Sequence, residues 1–106
     1  MSNTLLYMLD EMFIIASDNL REVEQELAEL KKGFGPLVIN RANLLETCAV
    51  LLDIKINAIM RAHELVRRDI TPFEEIEQIN AAARTIEKIE NVLETGVQHK
   101  GENHNG

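Results

Sequence analysis

The chain has 106 residues, 45% of them hydrophobic, and a formal net charge of −7. This length fits one domain with a modest core, and the hydrophobic fraction argues against disorder along most of the chain. The acidic balance excludes a protein whose whole surface grips nucleic-acid phosphates, although a local basic patch is compatible with it.

The first predicted helix spans about residues 3–32. Two sets of apolar residues recur there every seven positions and interleave as the a and d positions of four heptads. These sets are Leu6, Phe13, Leu20 and Leu27, and Leu9, Ala16, Val23 and Leu30. A further stripe joins them in the N-terminal half: Leu5, Met8, Met12 and Ile15, with Tyr7 and Ile14 beside it. The third helix or another subunit must cover this half, and we expect an oligomer interface along the further stripe.

Residues 33–36 read Gly-Phe-Gly-Pro and end the first helix. Gly33 is placed to take the left-handed conformation that closes many helices, and Phe34 to fold back on Leu30. Pro36 prevents the helix from continuing. A single Gly-x-Gly with no strand before it indicates a turn rather than a phosphate-binding loop.

The middle helix is predicted over residues 37–68 and carries two apolar rows at helical spacing. One row is Val38, Ala42, Leu45, Ala49, Leu52, Ile56, Ile59, His63 and Val66, and the other is Leu44, Cys48, Leu51, Ala58, Ala62 and Leu65. A helix with two apolar rows is contacted from both sides, so we expect the flanking helices to pack on it. Cys48 is interpreted as a buried small hydrophobe rather than a reactive thiol.

The third helix is predicted over residues 72–95. Thr71 is the expected N-cap, Pro72 the first helical residue, and Glu74 the partner that closes a capping box. Gly96 is expected to end the helix, and residues 97–106, which show no apolar period, are expected to form a disordered tail.

Few residues of the chain are candidates for catalysis or metal binding. His63 lies on an apolar row, which favours a core or interface histidine with a hydrogen-bond partner over a metal or proton-transfer site. A helical di-metal site needs Glu-x-x-His pairs, and the residue three before His63 is Met60. The other histidines, His99 and His104, fall in the predicted tail. The sequence therefore assigns no catalytic, cofactor-binding or metal-binding residue, and we expect neither enzymatic activity nor a cofactor.

A possible binding patch for nucleic acid or a protein partner lies on the middle helix, which is the least acidic part of the chain. It consists of Arg61, Arg67 and Arg68. Acidic residues are interspersed, which favours an ordinary solvated face, and no aromatic residues interleave for base stacking.

The chain resembles two known families. From residue 41 to residue 93 the chain resembles the central hairpin of phage small terminase subunits, through three features. These are Arg41-Ala42-Asn43-Leu44 opening a long helix, the Thr71-Pro72 turn, and a return helix rich in Ile and Ala. That resemblance implies a ring that engages viral DNA and regulates the packaging ATPase. In size and helix number the chain is also similar to all-helical chorismate mutases, but those enzymes bind their dicarboxylate substrate with several cationic residues, and the first helix offers only Arg21 before its terminal lysines.

These observations predict an all-α fold of three long antiparallel helices, a helical bundle or coiled-coil-like hairpin that oligomerises through its first helix. Residues 1–96 are expected to form one domain. The expected function is non-enzymatic interaction or assembly, through homo-oligomerisation and binding of a protein partner. The alternatives are a terminase-like DNA-packaging adaptor and, third, a small helical enzyme. No apolar run approaches the ~20 residues of a membrane span, and no basic segment precedes Leu5, so a cytoplasmic protein is expected, in the host cytoplasm if viral.

Overall fold

The structure, a computed structural model, describes the backbone of residues 3–102 and the side chains of residues 3–95. It consists of helix α1 (Asn3–Leu30), helix α2 (Pro36–Arg67) and helix α3 (Phe73–Glu102). Short turns connect them, so α1 and α3 both run antiparallel to α2 and parallel to each other. The predicted all-α fold of three long helices is confirmed.

Helix α2 is the centre of the molecule because it packs against both other helices. Over the described residues, no Cα atom of α1 comes within 8 Å of a Cα atom of α3. The three helices form an elongated body of 56 × 29 × 18 Å. The expectation that the middle helix is contacted from both sides is therefore confirmed.

The core divides into two clusters along α2. The larger one lies near the N-terminus of α1 and contains Leu9, Ala16, Ala58, Ile59, Ala62, Val66 and Ile79. The smaller one contains Cys48, Leu52 and Ile86, with Leu20, Val23, Leu51 and Ile89 packed against it. Both apolar rows of α2 supply buried residues. Burying an aliphatic side chain stabilises a fold by about 1.5–3 kcal/mol, so these seams account for much of the stability.

The first turn differs from the prediction made from residues 33–36. Helix α1 ends at Leu30, and the N–H groups of Lys32 and Gly33 bond to carbonyls three residues earlier, at 3.2 and 2.9 Å. This tightened turn needs no positive φ, and Gly33 does not have one. The left-handed residue is Gly35 instead, with φ 114° and ψ 163° as the N-cap of α2.

Phe34 is 96% exposed, which shows that its side chain does not fold back on Leu30. The expected contact depends on a left-handed Gly33, which would turn the following residue toward the helix. Since Gly33 keeps a negative φ, Phe34 points into solvent at the tip of the turn.

The second turn closes α2 with a Schellman motif. The Ile70 N–H bonds to the Leu65 carbonyl at 2.9 Å, and the Asp69 N–H bonds to the Val66 carbonyl at 3.0 Å. Asp69 occupies the left-handed position with φ 59°, which aspartate tolerates better than most residues. Helix α2 consequently ends at Arg67, one residue before the predicted boundary.

Helix α3 starts one residue later than predicted. The Ile76 N–H bonds to the Pro72 carbonyl at 3.0 Å, which makes Pro72 the N-cap and places Thr71 before it. The expected capping box of Thr71 and Glu74 is thus out of register. Pro72 is almost completely buried, so packing of the proline ring anchors the start of this helix.

The predicted end of α3 at Gly96 is wrong, since the helix continues to Glu102. A glycine in a helix interior costs about 1 kcal/mol relative to alanine but still donates and accepts its backbone hydrogen bonds. No proline follows it to block the helix. The predicted disordered tail thus begins inside α3, and residues 103–106 lie outside the described residues.

The two glycines of the first turn make a matched test of this geometry. A Cβ atom at Gly35 would meet nothing within 4 Å, so Gly35→Ala costs only backbone strain. We expect it to lower the free energy of unfolding by about 1–3 kcal/mol, because its φ and ψ are reached almost only by glycine. In Gly33→Ala the new Cβ would make ordinary contacts at 3.5 and 3.6 Å, and stability should change little. Urea unfolding followed by circular dichroism measures the stability of both variants. Equal losses of stability would contradict the assignment of the positive φ to Gly35.

Candidate interaction surfaces

The N-terminal half of α1 exposes apolar side chains on the side facing away from α2. Tyr7, Met8, Ile14 and Ile15 are 72%, 54%, 58% and 57% exposed. Met8 and Ile15 are seven residues apart, as are Tyr7 and Ile14, so each pair lies along one line of the helix. The exposed Glu11 lies between the two lines. This surface is the largest concentration of exposed apolar side chains on any described helix.

The four residues predicted at an oligomer interface divide into two kinds. Met8 and Ile15 are exposed, whereas Leu5 and Met12 pack partly against the larger core cluster of the same chain. The structure therefore keeps the four residues on one side of α1 but uses two of them within the fold. Oligomerisation through this helix stays a prediction.

A second feature is the contact between His63 of α2 and Asp10 of α1. Nε2 of His63 lies 3.1 Å from Oδ1 of Asp10, and both side chains are partly exposed. With Phe13 and Met60 they border a shallow cavity of about 260 Å³. His63 thus lies in a contact between helices, within ion-pair distance of a carboxylate on α1.

The predicted arginine patch is largely engaged within the chain. Arg61 donates to the side-chain oxygen of Gln78 on α3 at 2.7 Å, and Nε of Arg68 lies 3.1 Å from the Glu64 carboxylate. Arg67 is exposed in the last turn of α2. Two of the three guanidinium groups therefore have partners within the chain, and binding of nucleic acid or a partner at this patch stays a prediction.

A groove of about 410 Å³ lies between α1 and α3, with α2 beneath it. We call it the α1–α3 groove. Its floor contains Leu45, Cys48, Leu52 and Ile86. Its walls carry Asn19, Glu22 and Glu26 on α1, and Glu90, Asn91 and Glu94 on α3. Arg41 lies at one end and bonds to Glu26 at 3.0 Å.

The groove wall on α1 continues the line of the predicted interface. Met8, Ile15 and Glu22 recur every seven residues, and so do Leu5, Met12, Asn19 and Glu26. The same side of the helix is therefore apolar in its first half and acidic in its second. Helices α1 and α3 stay apart along the described residues, and like charges on the facing walls add to this separation at the groove.

Cys48 lies in the groove floor and is 2% exposed. Burial raises the pKa of its thiol, and the nearby Glu90 carboxylate raises it further. A thiol kept protonated is a poor nucleophile, so the chemistry of this residue agrees with the interpretation as a buried hydrophobe.

Within the described residues, His, Cys, Asp and Glu do not come together in a group of three that could hold a metal ion. Across residues 3–102, each helix is too short in its apolar stretches to span a bilayer. No protein-family model, curated protein or solved structure matches the chain, so the resemblance to small terminase subunits stays a prediction.

Sequence reasoning missed the groove. It gave the glutamates of the two walls no role, because apolar periodicity treats each helix separately. The available signal was the four-residue spacing of Glu22 with Glu26 and of Glu90 with Glu94, each pair beside an apolar row. Only the parallel placement of α1 and α3 reveals that the two pairs face one groove.

The raised pKa of Cys48 leads to a prediction about alkaline stability. The unfolded thiol ionises near its ordinary value of 9.0, whereas the folded thiol resists ionisation. Its contribution to stability is therefore complete below that value and is lost as the pH rises toward the folded pKa. We expect the difference in melting temperature between wild type and Cys48→Ala to shrink between about pH 7 and about pH 10. Both proteins share every other titrating group. A melting-temperature difference that stays constant with pH would therefore contradict the raised pKa of Cys48.

Proposed function

We propose that this protein is a non-enzymatic assembly protein, which associates with copies of itself through α1 and binds a further protein partner. The exposed apolar side chains of α1 are the observation that carries the proposal. Soluble monomers seldom expose a contiguous apolar patch larger than a few hundred Å². A second copy that covers this surface removes it from water.

The geometry of α1 favours pairing of helix with helix. Met8 and Ile15 lie on one line, next to the partly buried Leu5 and Met12, and together they form a continuous apolar strip. An identical strip on a second copy is complementary by symmetry, and two-subunit closed assemblies are the commonest case. The seven-residue spacing suits coiled-coil-like packing.

The distribution of charge argues against the chorismate-mutase-like alternative. The α1–α3 groove carries four glutamates and one arginine. A dicarboxylate substrate would be repelled there, since its binding requires several converging cationic groups. The acidic groove supports recognition of a cationic partner instead.

The proposed self-association is tested by Met8→Glu combined with Ile15→Glu. Both side chains are more than half exposed, so the fold should survive, while two added charges per chain oppose pairing. Light scattering at micromolar concentration should give wild type at least twice the 12.0 kDa of one chain, and the double variant the mass of a single chain.

The matched control is Val50→Glu with Ile54→Glu, which adds the same charges at exposed apolar positions of α2. It should keep the wild-type mass. A single-chain mass for wild type would overturn the proposal, and an equal effect of both double variants would remove α1 from the interface.

A further inference from the structure

The α1–α3 groove combines an apolar floor with two acidic walls. Leu45, Cys48 and Leu52 of α2 form the floor together with Ile86 of α3. Each wall carries two glutamates spaced by four residues, Glu22 and Glu26 on one side and Glu90 and Glu94 on the other. A ligand that complements all of these groups must be apolar along its centre and cationic along both edges.

We propose that the groove binds a basic amphipathic helix of a partner protein, with its apolar side on the floor and its Lys or Arg side chains on the walls. The inference deepens the partner-binding half of the proposed function, because it specifies the chemical class of the partner. The groove shares no residue with the exposed apolar strip of α1, although its α1 wall continues the same side of the helix.

The spacing of the walls suits an extended cationic ligand. Four residues of helix advance by about 6 Å, so each wall presents two carboxylates about that far apart along the groove. Basic residues at positions i and i+4 of a bound helix have the same spacing. A helix lying in an apolar groove places residues at i, i+3 or i+4, and i+7 on the floor. A single metal ion would not match, because the described carboxylates do not gather into a metal-binding group.

The charges of the groove are only partly balanced within the chain. Arg41 bonds to Glu26, but within the described residues Glu22, Glu90 and Glu94 have no cationic side chain within 4 Å. Glutamates four residues apart on one helix repel each other, and here two such pairs also face each other. A bound cationic helix would relieve both repulsions.

A second copy of this chain is the wrong occupant on grounds of charge. Its exposed apolar surface on α1 carries Glu11, with Asp18 one turn beyond Ile15, and the chain as a whole has a net charge of −7. Inserting that surface into the acidic groove would bring like charges together. The groove therefore disfavours a second copy of this chain as its occupant and favours a basic partner.

The test is a calorimetric titration of the full chain with a synthetic amphipathic helix that has leucines along one side and lysines flanking them. A triple variant carrying Glu22→Gln, Glu90→Gln and Glu94→Gln should bind this peptide roughly tenfold more weakly. That loss is expected when three partly exposed charge pairs are removed. The control is a second triple variant, in which glutamine replaces Glu24, Glu77 and Glu87. These residues are exposed and lie outside the groove, and the net charge changes by the same amount. The control variant should alter the affinity by less than about twofold.

A second peptide keeps the lysines and replaces the leucines with serines, which tests the floor without altering the protein. It should bind at least tenfold more weakly than the first. Equal binding of the two peptides, equal loss in the groove and control variants, or no binding of the leucine–lysine peptide would each overturn the inference. Light scattering of the same samples separates this result from self-association, since a single-chain mass with retained peptide binding would contradict only the proposed oligomer.

Discussion

The structure depends on one constraint, which is that α2 must bury two apolar rows on a single helix. One neighbouring helix cannot cover both rows, so α1 and α3 each take one side. The aliphatic seam runs from Leu45 and Cys48 at one end of α2 to Ala62 and Val66 at the other. Alanines 16, 58 and 62 are completely buried in it, and small side chains of this kind let helices approach closely. Over the described residues no such seam joins α1 to α3, and charged side chains line the groove between them.

Helix α1 shows how one periodic pattern acquires two roles. Its inward residues, such as Leu9, Ala16 and Leu27, are buried along its whole length. The neighbouring side is apolar in the first half and acidic in the second. The first half therefore presents a surface that favours another apolar helix, while the second half forms a wall of the α1–α3 groove. Under the proposed function these two surfaces take different partners, because they differ in charge.

The turns place these surfaces. Gly35 in a conformation reserved for glycine, and Asp69 in the left-handed region, reverse the chain within a few residues at opposite ends of α2. Short reversals keep α1 and α3 parallel and in register with the same central helix. This register is why Glu22 and Glu26 face Glu90 and Glu94 across the groove rather than lying at different heights.

Apolar periodicity alone predicted the three helices, the inward rows of each and the central position of α2, because it reports directly which side of a helix leaves water. It also identified the surplus of apolar residues near Met8 and Ile15. It did not determine the helix ends at Gly33, Thr71 and Gly96, where several local hydrogen-bonding patterns have similar free energies and packing selects among them. The fold separated Leu5 and Met12, which are used in the core, from their exposed neighbours. The groove was decided by tertiary structure alone, because its walls come from two helices that are distant in sequence and meet only through their common packing on α2.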